Sequence, residues 1–455
     1  MSAILDDAAA ADDAASLKAS EPPFPRAAVA WAAVAILVVL SILCFLDRLI
    51  VSLMVPMIKA DFGVSDSQIA LLQGAAFSFI YAAAAFPFGY AVDHYSRRVT
   101  LFIGVFMWAA AATACGLSES FNTLLAARIG VGLGEAALNP VIASILSDMF
   151  PKKRLAFAFS VVSVGALIGT QGALIIGGAV LHWAGDGMTF PILGFLAPWK
   201  IAFLVTGAPG MLLAFVVFCI PEPVRRASTR AAAAGKPSWS EALPFLKQNA
   251  GFLTCYIGAF SSLGIGSYAL LTWAPTVLQR VYGLSAGTTG LRLGSVALVC
   301  GLVGTLGAGA IIDHLYSRGR RDAHAVYYAF AGVVSIGVGI ASVFANSPWA
   351  YLALLAPAKL MFNYSGVALS GLQLMTPSHL RGRVAALFSF CIVLVGSTLG
   401  PSSVAFFTDV VFRDESKVHW SVAASMIIFG AIAAVLLIVA RGPMRRAAAA
   451  AQAAE

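Results

Sequence analysis

GYAVDHYSRR, residues 89–98, and GAIIDHLYSRGRR, residues 309–321, are the two stretches on which the fold turns. Each carries Gly-x-x-x-Asp-His and then Ser-Arg, and each directly follows a long apolar run. A second pair of echoes has nearly the same offset. MFPKKRLAFAFS, residues 149–160, precedes one apolar run, and MTPSHLRGRVAALFS, residues 375–389, precedes another. Two echoes at one spacing indicate a chain built from duplicated halves, a recurrent plan among proteins that carry solutes across membranes around a central cavity.

The runs flanking these loops have the length of membrane helices. A bilayer core about 30 Å thick needs roughly 20 apolar residues in helical form. Spans are predicted near 27–55, 67–92, 99–117, 121–147, 155–181, 200–220, 251–278, 288–312, 324–345, 349–376, 383–411 and 419–440. Composition agrees. Hydrophobic residues make up 60% of the 455-residue chain and charged residues 11%, against roughly 25% charged in a soluble domain. Surface outruns core volume in a soluble chain of this size, so lipid must cover the excess. The short alternating segments of a transmembrane β-barrel are missing. The fold class expected is an all-α polytopic membrane protein with 12 transmembrane helices in two pseudo-symmetric six-helix halves. The expected division is a disordered cytoplasmic tail over 1–26, a six-helix half over 27–221, a cytoplasmic linker over 222–250, a second six-helix half over 251–441 and a cytoplasmic tail over 442–455.

The net charge of +8 invites a nucleic-acid reading, but its distribution argues for topology instead. With the N-terminus placed in the cytoplasm, only Lys59, Lys200, Arg280, Arg292, Arg413 and Lys417 of the 29 Lys and Arg fall in outer loops, and Arg48, Arg128 and Lys359 fall within spans. All the others lie on the cytoplasmic side, as the positive-inside rule describes. No nucleic-acid partner is implied, and an even number of spans returns the C-terminus to the cytoplasm. The acidic, Ala-rich N-terminus lacks the basic region of a signal peptide. The six cysteines sit singly in apolar stretches with no metal-ligand spacing, which reads as small buried hydrophobes. No Walker-type motif points to ATP, and no cofactor is expected.

Chemistry is expected where charge enters the bilayer. Asp47, Arg48, Arg128, Glu135 and Lys359 fall well inside predicted spans, where a charge costs on the order of a few kcal/mol or more unless it faces a cavity or a partner. Arg128, Gly132, Glu135 and Asn139 share one helix face at 3.6 residues per turn, a polar stripe expected to face the central cavity. Arg128 and Glu135 are two turns, roughly 10 Å, apart, so their partners must come from another helix. Asp47 lies at a depth between them, which makes an Asp47–Arg128 contact geometrically plausible. Arg48, about 100° round the helix, is placed to reach Glu135 or an anionic substrate. Arginine keeps its charge at any relevant pH while a carboxylate can lose it, so Asp47 or Glu135 is the candidate proton carrier. The bland alternative is a static buried network holding spans one and four together.

Lys359, with Asn363 one turn on and Tyr364 beside it, lies at nearly the repeat-equivalent depth of Glu135. It is expected to contact an anion or headgroup, with snorkelling to the interface as the alternative. Tyr81, Phe86, Tyr268, Trp273, Phe362 and Tyr364 are candidates for an apolar cavity lining, although most aromatics at such spacings are plain packing.

The chain resembles the major facilitator superfamily over nearly all its length. GYAVDHYSRR is similar to that family's loop between spans two and three, with Gly89, Asp93, Arg97 and Arg98 matching and His94 and Ser96 departing. RIGVGLGEA, residues 128–136, is similar to its fourth-span motif. Within the superfamily the chain looks most like the Spinster-type group, on Phe-Leu-Asp-Arg over 45–48, the Glu-Ala that closes the fourth-span motif, and Asp-x-Phe-Pro over 148–151. The resemblance implies a major facilitator fold and an inner gate at Gly89, Asp93, Arg97 and Arg98, with Asp313 in the repeated position. It also supports Asp47 and Glu135, with Arg48 and Arg128, as a proton-coupling set, and a lysolipid, sphingoid or other amphipathic cargo. Symport of a small organic acid anion through Arg48, Arg128 and Lys359 is the competing reading. A membrane-embedded lipid enzyme is the remote one, since His182, His324 and His419 lack the companions a hydrolase motif needs. The expected partners are a small-molecule or lipid substrate, protons and the bilayer, for a monomer in a bacterial inner membrane.

Overall fold

In the computed structural model the described residues are 24–225, 239–362, 364–373, 375–377 and 380–453. Twelve helices long and apolar enough to cross a membrane lie among them: Ala27–Phe62, Asp66–His94, Arg97–Gly116, Phe121–Met149, Lys153–Ala184 and Pro198–Cys219 in the first half, then Ala250–Arg280, Ala286–Ser317, Ala323–Val343, Pro348–Gln373, Arg381–Phe412 and Glu415–Arg446 in the second. They are numbered here as spans one to twelve. Each overlaps its expected position, and the ends differ by seven residues at most, at the end of span one.

Local chemistry sets the boundaries. Five spans begin behind a serine whose side chain accepts a bond from the first helical turn: Ser65, Ser96, Ser120, Ser285 and Ser347. Ser65 with Gln68 forms a reciprocal capping box. Such a cap contributes about 1 kcal/mol by satisfying an amide that the helix cannot. Span one ends at Gly63, whose φ of 63° is the left-handed conformation that glycine adopts without strain.

Several spans are interrupted where function is expected. Span one breaks at Ile50, just beyond Asp47 and Arg48. Span two passes through a π-helical turn at Leu71–Ala75. Span four breaks at Ala136–Ala137, immediately after Glu135. Pro140 accounts for that break, because its ring clashes with the carbonyl of the residue four before it, Ala136, and it has no amide to donate.

The charge distribution gives the bundle a basic face and an opposite, far face. A cluster of ion pairs joins the two halves at the far face. Arg280 of span seven grips Asp66 of span two through two bonds of 2.7 Å, and Lys59 bonds both Asp66 at 2.6 Å and Glu415 at 2.7 Å. The Ser67 hydroxyl donates to Asp409 at 2.6 Å. Near this closure, spans five and eight cross in backbone contact. A Cβ on Gly290 would stand 2.8 Å from the Gly178 Cα, so glycine is required there.

Two features were not foreseen. Met188–Phe190 and Gly194–Leu196 pair as a small antiparallel hairpin between spans five and six, in triplets too short to register beside apolar runs. Within the expected linker, Trp239–Gln248 is helical. The expected C-terminal tail continues span twelve as helix to Ala453. The expected N-terminal tail up to residue 23 lies outside the described residues.

Candidate functional site

Spans one, two and four bring the predicted charges together. Arg48 donates to Glu135 Oε2 from Nε at 3.1 Å and from Nη2 at 2.5 Å. The Glu135 side chain is fully buried and the Arg48 side chain nearly so. Phe77, Phe45 and Tyr81 surround the guanidinium, with ring centroids 4.5, 5.1 and 5.1 Å from its Cζ. Such rings stabilise a desolvated cation through their quadrupoles. The expected reach of Arg48 to Glu135 is therefore present.

Arg128 behaves differently from expectation. It is fully buried, and its guanidinium donates to the backbone carbonyls of Asp47 at 3.1 Å and Arg48 at 3.3 Å rather than to the Asp47 carboxylate. The interruption at Ile50 lies one turn beyond these carbonyls, and a planar guanidinium can serve two acceptors at once. Asp47 is buried beside Trp108 and Thr206, and its Oδ1 has no bonding partner. Glu135 Oε1 is likewise unpartnered. The stripe on span four also divides. Gly132 packs under Phe77 of span two, Arg128 lies sealed behind it, and Asn139 alone is exposed, donating to the Tyr81 hydroxyl at 2.8 Å.

A cavity of about 480 Å³ lies between the halves, lined by Arg48, Tyr81 and Asn139 from the first and by Tyr268, Phe362 and Tyr364 from the second. A neighbouring cavity of about 290 Å³ in the first half reaches Glu135 and shares Arg48, Tyr81 and Asn139 with it. Three expectations need correction. Trp273 does not line the cavity: it is completely buried and donates from its indole to the Pro401 carbonyl at 3.1 Å. Phe86 is 74% exposed and is not among the lining residues. Lys359 is partly buried beside Cys300 of span eight and does not line this cavity either. Its depth along span ten is no guide to the face of the helix it leaves from, and that face is turned toward Cys300 of span eight. Asn363 lies outside the described residues.

At the basic face, Arg97 is buried and pairs with Asp148 at the end of span four, 2.7 Å away. Glu222, just after span six, accepts from the Ser96 hydroxyl at 2.7 Å and from the backbone amides of Arg97 at 3.1 Å and Arg98 at 3.2 Å. It thus caps the N-terminus of span three, where the helix dipole favours a negative charge. Burial pushes the Glu222 carboxyl up, but the Ser96 and backbone bonds outweigh it and hold the group below the usual carboxylate range. Arg225 caps the end of span two through the carbonyls of Val92 and Tyr95. Asp93, Asp313 and Gly89 stand apart from the Arg97–Asp148 and Glu222 contacts. Asp93 and Asp313 are exposed, and a Cβ on Gly89 would meet nothing.

Sequence reasoning missed Glu222 and Asp66. Asp66 directly follows a serine cap and reads as an ordinary helix start. Glu222 stands in a polar stretch that reads as linker.

The comparisons with known proteins agree with this arrangement. A family model described as Major Facilitator Superfamily matches residues 37–401. An MFS-type efflux pump of Mycolicibacterium smegmatis is 24% identical over 385 residues, covering 85% of this chain and 86% of that protein. The sphingosine-1-phosphate transporter SPNS2 of Xenopus tropicalis is 25% identical over 410 residues, covering 86% of this chain and 76% of that protein. A crystal structure of a bacterial homolog to the human lysosomal transporter Spinster, in an inward-facing and unoccupied conformation, has the same fold, with a TM-score of 0.76 at 22% identity over 93% of this chain and 98% of that one. Twelve membrane helices in two halves, a cavity between them and a family match over most of the length identify the chain as a transporter that belongs to the Major Facilitator Superfamily.

Proposed function

We propose that this transporter couples movement of an amphipathic, lysolipid- or sphingoid-like cargo to protons by alternating access. The observation that carries the proposal is the Arg48–Glu135 ion pair in the cavity walls, with Glu135 Oε1 unpartnered. Protonating Glu135 neutralises one member of the pair and frees the Arg48 guanidinium to meet a cargo. Deprotonating it restores the pair and expels the competitor. Asp47, one residue from Arg48 and buried, is the second candidate proton site. The aromatic lining from both halves suits an apolar chain, and the sphingosine-1-phosphate transporter among the relatives supports that cargo class.

The proposed orientation puts the basic face and both termini in the cytoplasm of a bacterial inner membrane, for a protein acting as a monomer. In the state described, the outer side is shut. Asp93, exposed at the cytoplasmic face, is proposed to close that face by pairing across the halves, with Gly89, Arg97, Arg98 and Asp313 shaping the gate.

Reconstituted vesicles test the reading. Labelled lysolipid and a labelled aromatic acid are supplied with and without a pH gradient, to the wild type and to Glu135→Gln. Gradient-driven lysolipid uptake that loses its pH dependence in the variant, with the fold intact by size-exclusion profile, is the expected result. Wild-type response of the variant to the gradient removes Glu135 as the proton site. Uptake of the acid alone removes the amphipathic cargo.

A further inference from the structure

The connection between spans five and six lies at the far face, yet no residue between Asp186 and Lys200 is charged. Its hairpin divides into two sides, because side chains alternate along a strand. Met188, Phe190 and Leu196 turn inward and pack around Ala184 and Ile201. Thr189 and Phe195 stand opposite each other on the outer side. Phe195 rests its ring against Gly187 and is still 64% exposed. In the turn, Ile192 is 94% exposed, with the half-exposed Leu193 beside it. Turns that face water are built mainly from glycine, proline and polar residues. A contiguous apolar patch at such a place marks a surface that something covers.

The neighbouring spans fix the height of this patch. Span six, Pro198–Cys219, has 22 residues. At 1.5 Å per residue it is roughly 33 Å long, little more than the hydrocarbon core of about 30 Å. Pro198 therefore lies near the far-face edge of that core. Phe195 is three residues earlier, and three extended residues reach at most about 10 Å. The headgroup layer is itself roughly 5–7 Å deep on each side, so the hairpin starts within it or at its rim. Span five points the same way. Ile168, Ile176 and Trp183 are exposed and fall on one of its faces at 3.6 residues per turn. That face is turned away from Ser163, Ala166 and Thr170, which line the cavities, so it is the lipid-facing one. Trp183, 60% exposed, ends that stripe one residue before the inward-packed Ala184. Tryptophan is enriched at the membrane–water interface. The outer side of the hairpin thus continues a surface already in contact with lipid.

We propose that Phe195, Ile192 and Leu193 form a membrane-docking surface that inserts into the boundary between headgroups and acyl chains of the far-face leaflet. Its partner is phospholipid. A charge-free patch offers nothing to a charged protein surface, whereas acyl chains need no counter-charge. Lys200, the first cation after the patch, stands at the same boundary, where an ammonium on a long stem meets lipid phosphate. Docked in this way, the hairpin holds the outer end of span five, the helix that crosses span eight at Gly178 and Gly290. The inference depends on neither the cargo nor proton coupling.

Spin labels on the full chain in phospholipid vesicles test the surface. Cys219, Cys255 and Cys391, which are not fully buried, are replaced by serine. Nitroxides are then placed singly at Ile192→Cys and Phe195→Cys. Leu212→Cys, on the exposed side of span six, is the lipid control, and Glu119→Cys, in the far-face turn before span four, is the water control. Power saturation compares collisions with oxygen, which enters lipid, and with a water-soluble nickel chelate. The oxygen-to-nickel ratio at both hairpin positions should be several-fold above that at Glu119 and approach that at Leu212. A ratio equal to that at Glu119 places the hairpin in water and overturns the proposal. A label that neither reagent reaches is covered by protein, with dipolar broadening if that protein is a second copy, and overturns it as well. Ile192→Asp should lower the ratio for a label at Leu193→Cys, because a carboxylate is costly below the headgroups. An unchanged ratio there overturns the docking role of the turn.

Discussion

Arg128 shows how a buried charge can serve the backbone instead of a carboxylate. Its two bonds go to the Asp47 and Arg48 carbonyls beside the interruption of span one, so it fixes the backbone that carries both neighbouring charges. Leaving a buried acceptor without its donor costs about 1–3 kcal/mol. Arg128→Ala is expected to lower stability by at least about 2 kcal/mol, read as a lower melting midpoint of the detergent-solubilised protein, and Arg128→Lys by less. An alanine variant as stable as the wild type contradicts this account. The sequence located all five intramembrane charges, because a charge in an apolar run stands out. It could not assign their partners. Whether Arg128 meets a side chain or a carbonyl depends on the break at Ile50, which no residue there announces. Trp273 and Phe86 show the same limit, since an aromatic in a span does not reveal which way it faces.

Elements were more legible than contacts. The duplicated loops and the length of the apolar runs suffice for twelve spans in two halves, because the bilayer fixes helix length independently of tertiary packing. Where an element is set by tertiary contact, the reading falls short. The segment after span six reads as linker, yet Glu222 and Arg225 clamp the ends of spans three and two. Glu222 titrates below the usual carboxylate range in the folded protein. Its contribution is therefore fully present above the ordinary carboxylate value and lost only as pH falls through the lowered one. Limited proteolysis of the linker should not change between neutral and mildly acidic pH in the wild type. Glu222→Gln should be cut faster at both, because the neutral amide cannot replace a charge at a helix N-terminus. Wild-type cleavage that accelerates already at mildly acidic pH would contradict the lowered titration of Glu222, and a Glu222→Gln variant cut no faster than the wild type would remove the clamp's dependence on this carboxylate.

Across the whole molecule, a cluster of ion pairs ties the two halves together at the far face. Asp66 is the centre of that tie: its side chain is fully buried and it receives bonds from Lys59 and from both terminal nitrogens of Arg280. Glu415, the other anion of the cluster, is 59% exposed and meets Arg280 only at 3.7 Å. It cannot compensate for the loss of Asp66, because an exposed pair is screened and contributes little. Asp66→Asn leaves Lys59 and Arg280 facing each other across the halves with one partly solvated anion between them. Removing one partner of a buried, hydrogen-bonded pair costs about 2–5 kcal/mol, and the share carried by Arg280, which lies in the other half, falls only on the state in which the far face is shut. The ratio of far-face-open to far-face-shut molecules should therefore rise by at least about tenfold, since about 1.4 kcal/mol corresponds to that factor. A cysteine placed at Ser52, buried on span one two turns before Lys59, should react with a membrane-impermeant thiol reagent added from the far face much faster in the Asp66→Asn background. The double variant Asp66→Asn with Arg280→Gln should partly reverse the gain, since it removes the repulsion as well as the attraction. Equal labelling in all three backgrounds would mean that the glycine crossing of spans five and eight, and not this charge cluster, holds the far face shut.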